Sequence, residues 1–197
     1  MPRTYRLGER AAQMQATRER ILQAAIELYT EIGISARTMR LIAERADVAP
    51  GTLRSHFPSR DELDRAMAER LTSEVRLPDL SVFDDARSIE ERLERLIRVT
   101  VTFLDQAQRL YVMWLREPMA TGPWAEKGAA YGARWDELMR LALGNLADDD
   151  DAMIILRAVL DMPFFQTVRA EARTIEEVCA LITALIIPWF SARSARE

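Results

Sequence analysis

Between Leu53 and Phe57, two apolar residues one helical turn apart, the sequence places Arg54, Ser55 and His56, with Pro50, Gly51 and Thr52 just ahead of them. A helix that turns Leu53 and Phe57 inward at i, i+4 presents Gly51, Thr52, Arg54, Ser55 and His56 outward. None of these is bulky and apolar, and all but the glycine carry hydrogen-bonding groups. Such a surface suits a helix laid in the major groove of DNA, its small residues at the N-terminal end where base edges are approached. Pro50 fits the first helical position, where its missing N–H costs nothing. Catalysis has less to stand on. His56 and Cys179 are the single histidine and the single cysteine, and neither a glycine-rich phosphate loop nor a nucleophile–base pair accompanies them. Catalytic residues, a metal and a cofactor are all expected to be none, since one nitrogen and one sulfur ligand cannot build a structural zinc site.

An ordinary solvated surface helix would be equally polar. A helix this short gains little by itself, however, and Arg37, Arg40, Arg45 and Arg60 flank it. The charge distribution points the same way. The net charge is -4, yet residues 1–60 hold ten arginines against six acids, and the rest of the chain carries the acidic excess. A basic front on an acidic body suggests a polyanionic partner for the front alone. Hydrophobic residues at 49% and charged ones at 29% are those of a globular chain. The polar, basic N-terminus does not read as a secretory signal, and the apolar run at 178–190 is broken by Pro188 and short for a membrane span. A cytoplasmic location is expected.

Helical periodicity runs almost throughout, giving an all-α chain of about nine helices and no strand. The first helix, "TRERILQAAIELYTEIG", has an apolar stripe of Ile21, Leu22, Ala25, Leu28 and Tyr29, with Thr17 as N-cap and Gly33 as the stop. A short helix follows Thr38, then the turn "DVA", then the helix described above. Ser59 with Glu62, Ser88 with Glu91 and Thr174 with Glu177 have capping-box spacing. Two helices are expected between 89 and 117, one over roughly 124–146, one from about 152 to 169 kinked at Pro163, and a last one to about 191. The acidic run at 148–151 is expected to complement a helix N-terminus rather than bind metal.

A short helix, a tight turn and a second short helix, braced by a longer helix on each side, form a helix-turn-helix bundle. Residues 17–63, "TRERILQAAIELYTEIGISARTMRLIAERADVAPGTLRSHFPSRDEL", resemble the DNA-binding domain of the tetracycline-repressor (TetR) family. The shared marks are "AAIELY" before a helix-ending glycine, "TMRLIAERA", "VAPGTLRSHF" and "PSRDEL". The resemblance implies three parts: a flexible basic arm over 1–16, the DNA-binding domain over 17–63, and a ligand-binding and dimerisation domain over 64–197. Thr38 and Thr52 match phosphate-contacting positions, and Arg60 stands for the usual lysine with the same role. Arg40 matches a position from which relatives read a base. Together with Ser55, and with Gly51 allowing close approach, it is the candidate for sequence reading. Arg54 replaces the usual tyrosine and can grip phosphate or reach a guanine edge; His56 suits a phosphate. Asp47 replaces a turn glycine, and Ala49 removes a serine cap. Arg3, Arg6 and Arg10 in the arm either reach a neighbouring groove or stay disordered.

The second domain holds large aromatic and sulfur side chains: Phe103, Met113, Trp114, Trp124, Tyr131 and Trp135, with Met162, Phe164 and Phe165 further on. For each alone, core packing is the simpler role. The resemblance implies a cavity among these helices, and an apolar or aromatic small molecule is its natural occupant. The last two helices are apolar around more than one stripe, which implies a partner. Ile155, Val159, Val178, Leu181, Ile182, Leu185, Ile186 and Trp189 are the candidates for a homodimer interface. A two-fold dimer would read a roughly palindromic operator. The expected function is therefore a ligand-responsive, homodimeric repressor of transcription; a helical protein-binding adaptor and, behind it, a helical enzyme are the alternatives.

Overall fold

The long first helix, α1 (Arg3–Ile32), already departs from the expected layout. It begins fourteen residues before Thr17 rather than at it. "AAQMQA" at 11–16 is rich in strong helix formers, and Thr17 behaves as an interior residue whose hydroxyl donates to the Gln13 carbonyl at 2.9 Å. The segment read as a flexible arm is thus helical from Arg3 onward. These features come from a computed structural model that describes residues 3–33, 38–73, 75–116, 122–170 and 173–195, and for 3–7, 109 and 112–116 the backbone alone. Nine α-helices and two 3-10 turns are present among the described residues.

Contacts group the chain into two units, Met1–Glu74 with Val112–Lys127, and Val75–Tyr111 with Gly128–Glu197. The first unit therefore extends beyond the 17–63 segment, through the whole of a fourth helix. Its core collects Ile21, Ala25, Leu28 and Tyr29 of α1 with Ile42 and Ala43 of α2 (Met39–Arg45). Leu53 of α3 (Pro50–His56) joins them, with Leu63 and Met67 of α4 (Arg60–Ser73). Gly33, at φ 82°, ends α1 and returns its N–H to the Tyr29 carbonyl at 3.0 Å, the stop that the sequence expects. Asp47 takes φ 52° in the turn between α2 and α3, a left-handed position that aspartate accepts better than most residues.

In the second unit, α5 (Ile89–Arg116) is one helix where two were expected. "LDQAQRLY" offers no breaker to separate them. α6 spans Gly122–Leu143; its first turns and the end of α5 fall in the first unit by contact. The opposite difference occurs further on. The expected kinked helix is two helices, α7 (Asp150–Val159) and α8 (Met162–Arg169). Asp161 caps α8 by accepting from the Met162 N–H at 2.8 Å, so that Pro163 lies in a first turn, where proline is tolerated. The acidic run is engaged structurally: Asp149 accepts from the N–H groups of Asp151 and Ala152 at the start of α7 and is bonded by Arg193.

The last helix, α9 (Ile175–Ser194), opens with the one complete capping box among the described residues, Thr174 and Glu177 each bonding the other's backbone. At the other two sites only one half forms. Ser59 and Ser88 accept from Glu62 and Glu91, while the Glu91 carboxylate turns to the Arg87 N–H at 2.7 Å. α9 runs on through Pro188 to 20 residues and, by length and composition, is long and apolar enough to cross a membrane, contrary to the sequence expectation. The reason for its apolarity is two-faced. Val178, Ile182, Ile186 and Phe190 sit in the core of the second unit, whereas Leu181 and Leu185 stand exposed.

Candidate nucleic-acid interface

The seven residues of α3 are held by the two side chains that sequence spacing turns inward: Leu53 and Phe57 are each 1% exposed. Gly51, Thr52, Arg54 and Ser55 are consequently exposed, and His56 is half-buried. A methyl group placed on Gly51 would meet nothing within 4 Å. Nothing among the described residues requires that glycine. Ser55 donates its hydroxyl to the Thr52 carbonyl at 2.7 Å, which leaves its lone pairs outward as acceptors. Ala49 stands at the N-cap with no side-chain bond, and Pro50 follows it at the first position.

Around α3, the expected contacts divide by what already holds them. Thr38 is the N-cap of α2, accepting from the Leu41 N–H at 3.2 Å. Arg40 is largely exposed and pairs with Glu44 one turn on at 2.9 Å, an exchangeable surface pair of small worth. Arg60 lies 3.7 Å from Asp64. Arg45 belongs elsewhere. Its guanidinium makes two bonds to Glu31, at 2.9 and 2.8 Å, and approaches Glu27 at 3.8 Å. That fork holds the Glu31 carboxyl below its ordinary range and raises Arg45 in turn. Arg45 therefore braces α2 against α1 and is withdrawn from the flanking set, while Arg37 lies outside the described residues. Sequence spacing gave no sign of Arg18, whose guanidinium stacks on the Phe57 ring with Cζ 4.5 Å from its centroid; the two residues are far apart in the chain.

Of the candidate ligand-binding residues, Phe103 brings together Trp135, edge-on at 4.9 Å between centroids, and Tyr131 at 5.9 Å. The Tyr131 hydroxyl donates to the Val75 carbonyl at 3.1 Å. Met162 and Phe165 are buried in the core of the same unit, with Phe164 packed at its margin. Trp124 is not with them. It lies in the first unit, 4% exposed, against Tyr29 of α1 at 5.6 Å between centroids. Its indole N–H has no acceptor among the described residues. The cause is its place in the first turn of α6, which packs with the first unit. The side chains of Met113 and Trp114 lie outside the described residues.

The dimer candidates also separate. Leu181 and Leu185 are open, and Ile155, Val159 and Trp189 are half-buried. Val178, Ile182 and Ile186 turn into their own core and are removed from the interface set. Ile154, 62% exposed, is a further open apolar side chain that the candidate set lacks. The signal was present: Ala152, Met153 and Leu156 occupy the inward face of α7, and that register leaves Ile154 outside.

Residues 21–67 match the family of bacterial regulatory proteins named tetR. Over 150 residues the chain is 30% identical to the HTH-type transcriptional repressor KstR of Rhodococcus jostii, covering 74% of this chain and 68% of that one. The chain belongs to the TetR family. As a TetR-family protein it is a DNA-binding transcriptional regulator and not an enzyme. The HTH-type transcriptional regulator UidR of Escherichia coli is 26% identical over 159 residues, or 76% of this chain and 79% of its own. Among solved structures, NalD of Pseudomonas aeruginosa, the secondary repressor of the MexAB-OprM multidrug efflux pump, aligns with a TM-score of 0.55. It is 18% identical, over 85% of this chain and 93% of NalD. A linker-substituted HlyIIR aligns at 0.56 with 17% identity, over 87% and 95%. At these identities the two structures establish the shared TetR-family fold.

Proposed function

We propose that this TetR-family protein is a homodimeric repressor that leaves a roughly palindromic operator when a small apolar or aromatic ligand binds its second unit. The observation that carries the DNA part is the open face of α3, where an unobstructed glycine, two hydroxyls, Arg54 and His56 stand outward over a fully buried Leu53–Phe57 pair. A backbone free to approach, with donors and acceptors beside it, is what reading base edges requires. Arg40 and Ser55 read bases in this account; Thr38, Thr52, Arg54, His56 and Arg60 hold phosphates. Arg40 exchanges an exposed, weak surface partner for a DNA acceptor, so its pair with Glu44 does not block the role.

The exposed stripe of Leu181 and Leu185 on α9, with Ile154 on α7, supports the dimer, because a monomer gains nothing from holding these side chains in water. The aromatic group of Phe103, Tyr131 and Trp135 supports an apolar or aromatic effector. Such a ligand works only if it binds the DNA-competent and released conformations unequally. Footprinting on DNA from upstream of the protein's own gene tests the proposal. Two protected half-sites, about one helical turn or a multiple apart, are expected. A single unpaired patch would remove the palindrome, and no protection at any protein concentration would remove the operator.

A further inference from the structure

Arg18 is the one described arginine in this region that contacts an aromatic ring rather than a carboxylate. It projects from α1, is half-buried, and stacks on Phe57, the C-cap of α3, at 4.5 Å. Nearby cations are differently engaged: Arg40 pairs with Glu44, Arg45 with Glu31, and Arg60 with Asp64. A guanidinium held over a ring face needs none of its N–H donors for that contact, which leaves them for an acceptor. Phe57 in turn is 1% exposed and cannot shift without opening the core of the first unit. The cation is therefore preorganised, with its side-chain entropy already restricted before any partner arrives. It also stands where α3 ends: His56 precedes Phe57, and Arg60 opens the next helix.

From this stack we propose that Arg18 is a further operator contact, gripping a DNA phosphate beside those assigned to His56 and Arg60 and fixing the recognition helix against α1 as it does so. The inference rests on the reading of α3 as the DNA-contacting helix. A planar fork matches phosphate geometry, and a phosphate contact adds affinity and salt dependence without adding sequence preference.

The test separates a phosphate contact from a brace that only supports Phe57. Arg18→Met keeps an unbranched apolar stem on the ring and removes the charge; Arg18→Lys keeps the charge. Affinities of wild type and both variants for the footprinted operator and for a scrambled duplex are measured across a salt series, with thermal midpoints recorded alongside. The expected result is that Arg18→Met lowers the slope of log affinity against log salt by about 0.9 per subunit. Its operator-to-scrambled ratio stays unchanged, and Arg18→Lys retains the wild-type slope. Equal slopes for Arg18→Met and wild type would overturn the proposal, however much affinity is lost. Failure of both variants to fold would also overturn it, making Arg18 a brace alone. Wild type that binds neither duplex is a different failure, that of the DNA-binding reading beneath it.

Discussion

Gly51 carries the sharpest prediction at the scale of single residues. It sits in the first turns of α3 with open space where a side chain would be. Gly51→Ala should therefore stabilise the fold, by up to about 1 kcal/mol from helix propensity. On the proposed docking of α3, the same methyl group would stand between the helix backbone and the bases. Thermal melting should show a raised midpoint while operator affinity falls, and a variant that gains both would show that the glycine faces no DNA. Arg40 and Arg60 divide in another way. Arg40→Ala should relax base preference, whereas Arg60→Ala should weaken operator and scrambled DNA alike and lower the salt slope by about one. Equal loss of preference in both variants would contradict the assigned roles. Ala49→Ser supplies the cap that α3 lacks and is expected to raise stability by about 0.5–2 kcal/mol, read from denaturant unfolding.

The helices show which signals a sequence carries and which it does not. The inward pair of Leu53 and Phe57, the Gly33 stop, the left-handed Asp47 and the Thr174–Glu177 box all rest on a few adjacent residues, and each was legible. The joining of 89–116 into one helix was not, because the absence of a breaker is a weaker signal than the presence of one. Pro163 was read as a kink, when the competing rule, tolerance of proline in a first turn after an aspartate cap, prevailed. Long-range partners were invisible. Nothing local announces that Arg45 reaches Glu31, that Arg18 covers Phe57, or that Trp124 leaves its aromatic neighbours for Tyr29. At α9, the apolar composition declared two faces without assigning them, and Val178, Ile182 and Ile186 proved to be core. The open face yields its own prediction. Leu181→Glu with Leu185→Glu should convert the proposed dimer to a folded monomer, seen by sedimentation with the helical signal retained. A dimer that survives both substitutions would place the interface elsewhere.

Across the whole molecule, pH acts through carboxylates held in their charged form. Arg193 lowers Asp149, the Ser191 hydroxyl lowers Glu90, and the Thr174 backbone N–H lowers Glu177, while Arg45 lowers Glu31. A carboxyl lowered in the folded state contributes stability above its unfolded value, and that contribution is lost as pH falls through the folded one. Stability should thus hold at neutral pH and decline from below about 4.5, with Asp149→Asn showing a shallower acid decline than wild type. The same melts made on Asp149→Asn at neutral pH should show a lower midpoint, because the bonds from Arg193 and the cap on α7 weaken together.

The central claim, that α3 delivers this protein to a specific DNA sequence, is tested most directly by fluorescence anisotropy on the footprinted operator and a scrambled duplex, from low to physiological salt. Binding to the operator should be at least a thousandfold tighter, roughly the lower bound for specific over non-specific complexes. Its log affinity should fall steeply with log salt, because binding releases the counterions condensed on the phosphates. Equal affinity for the two duplexes, or binding that ignores salt, would contradict the account and leave the polar face of α3 as a surface for a protein partner.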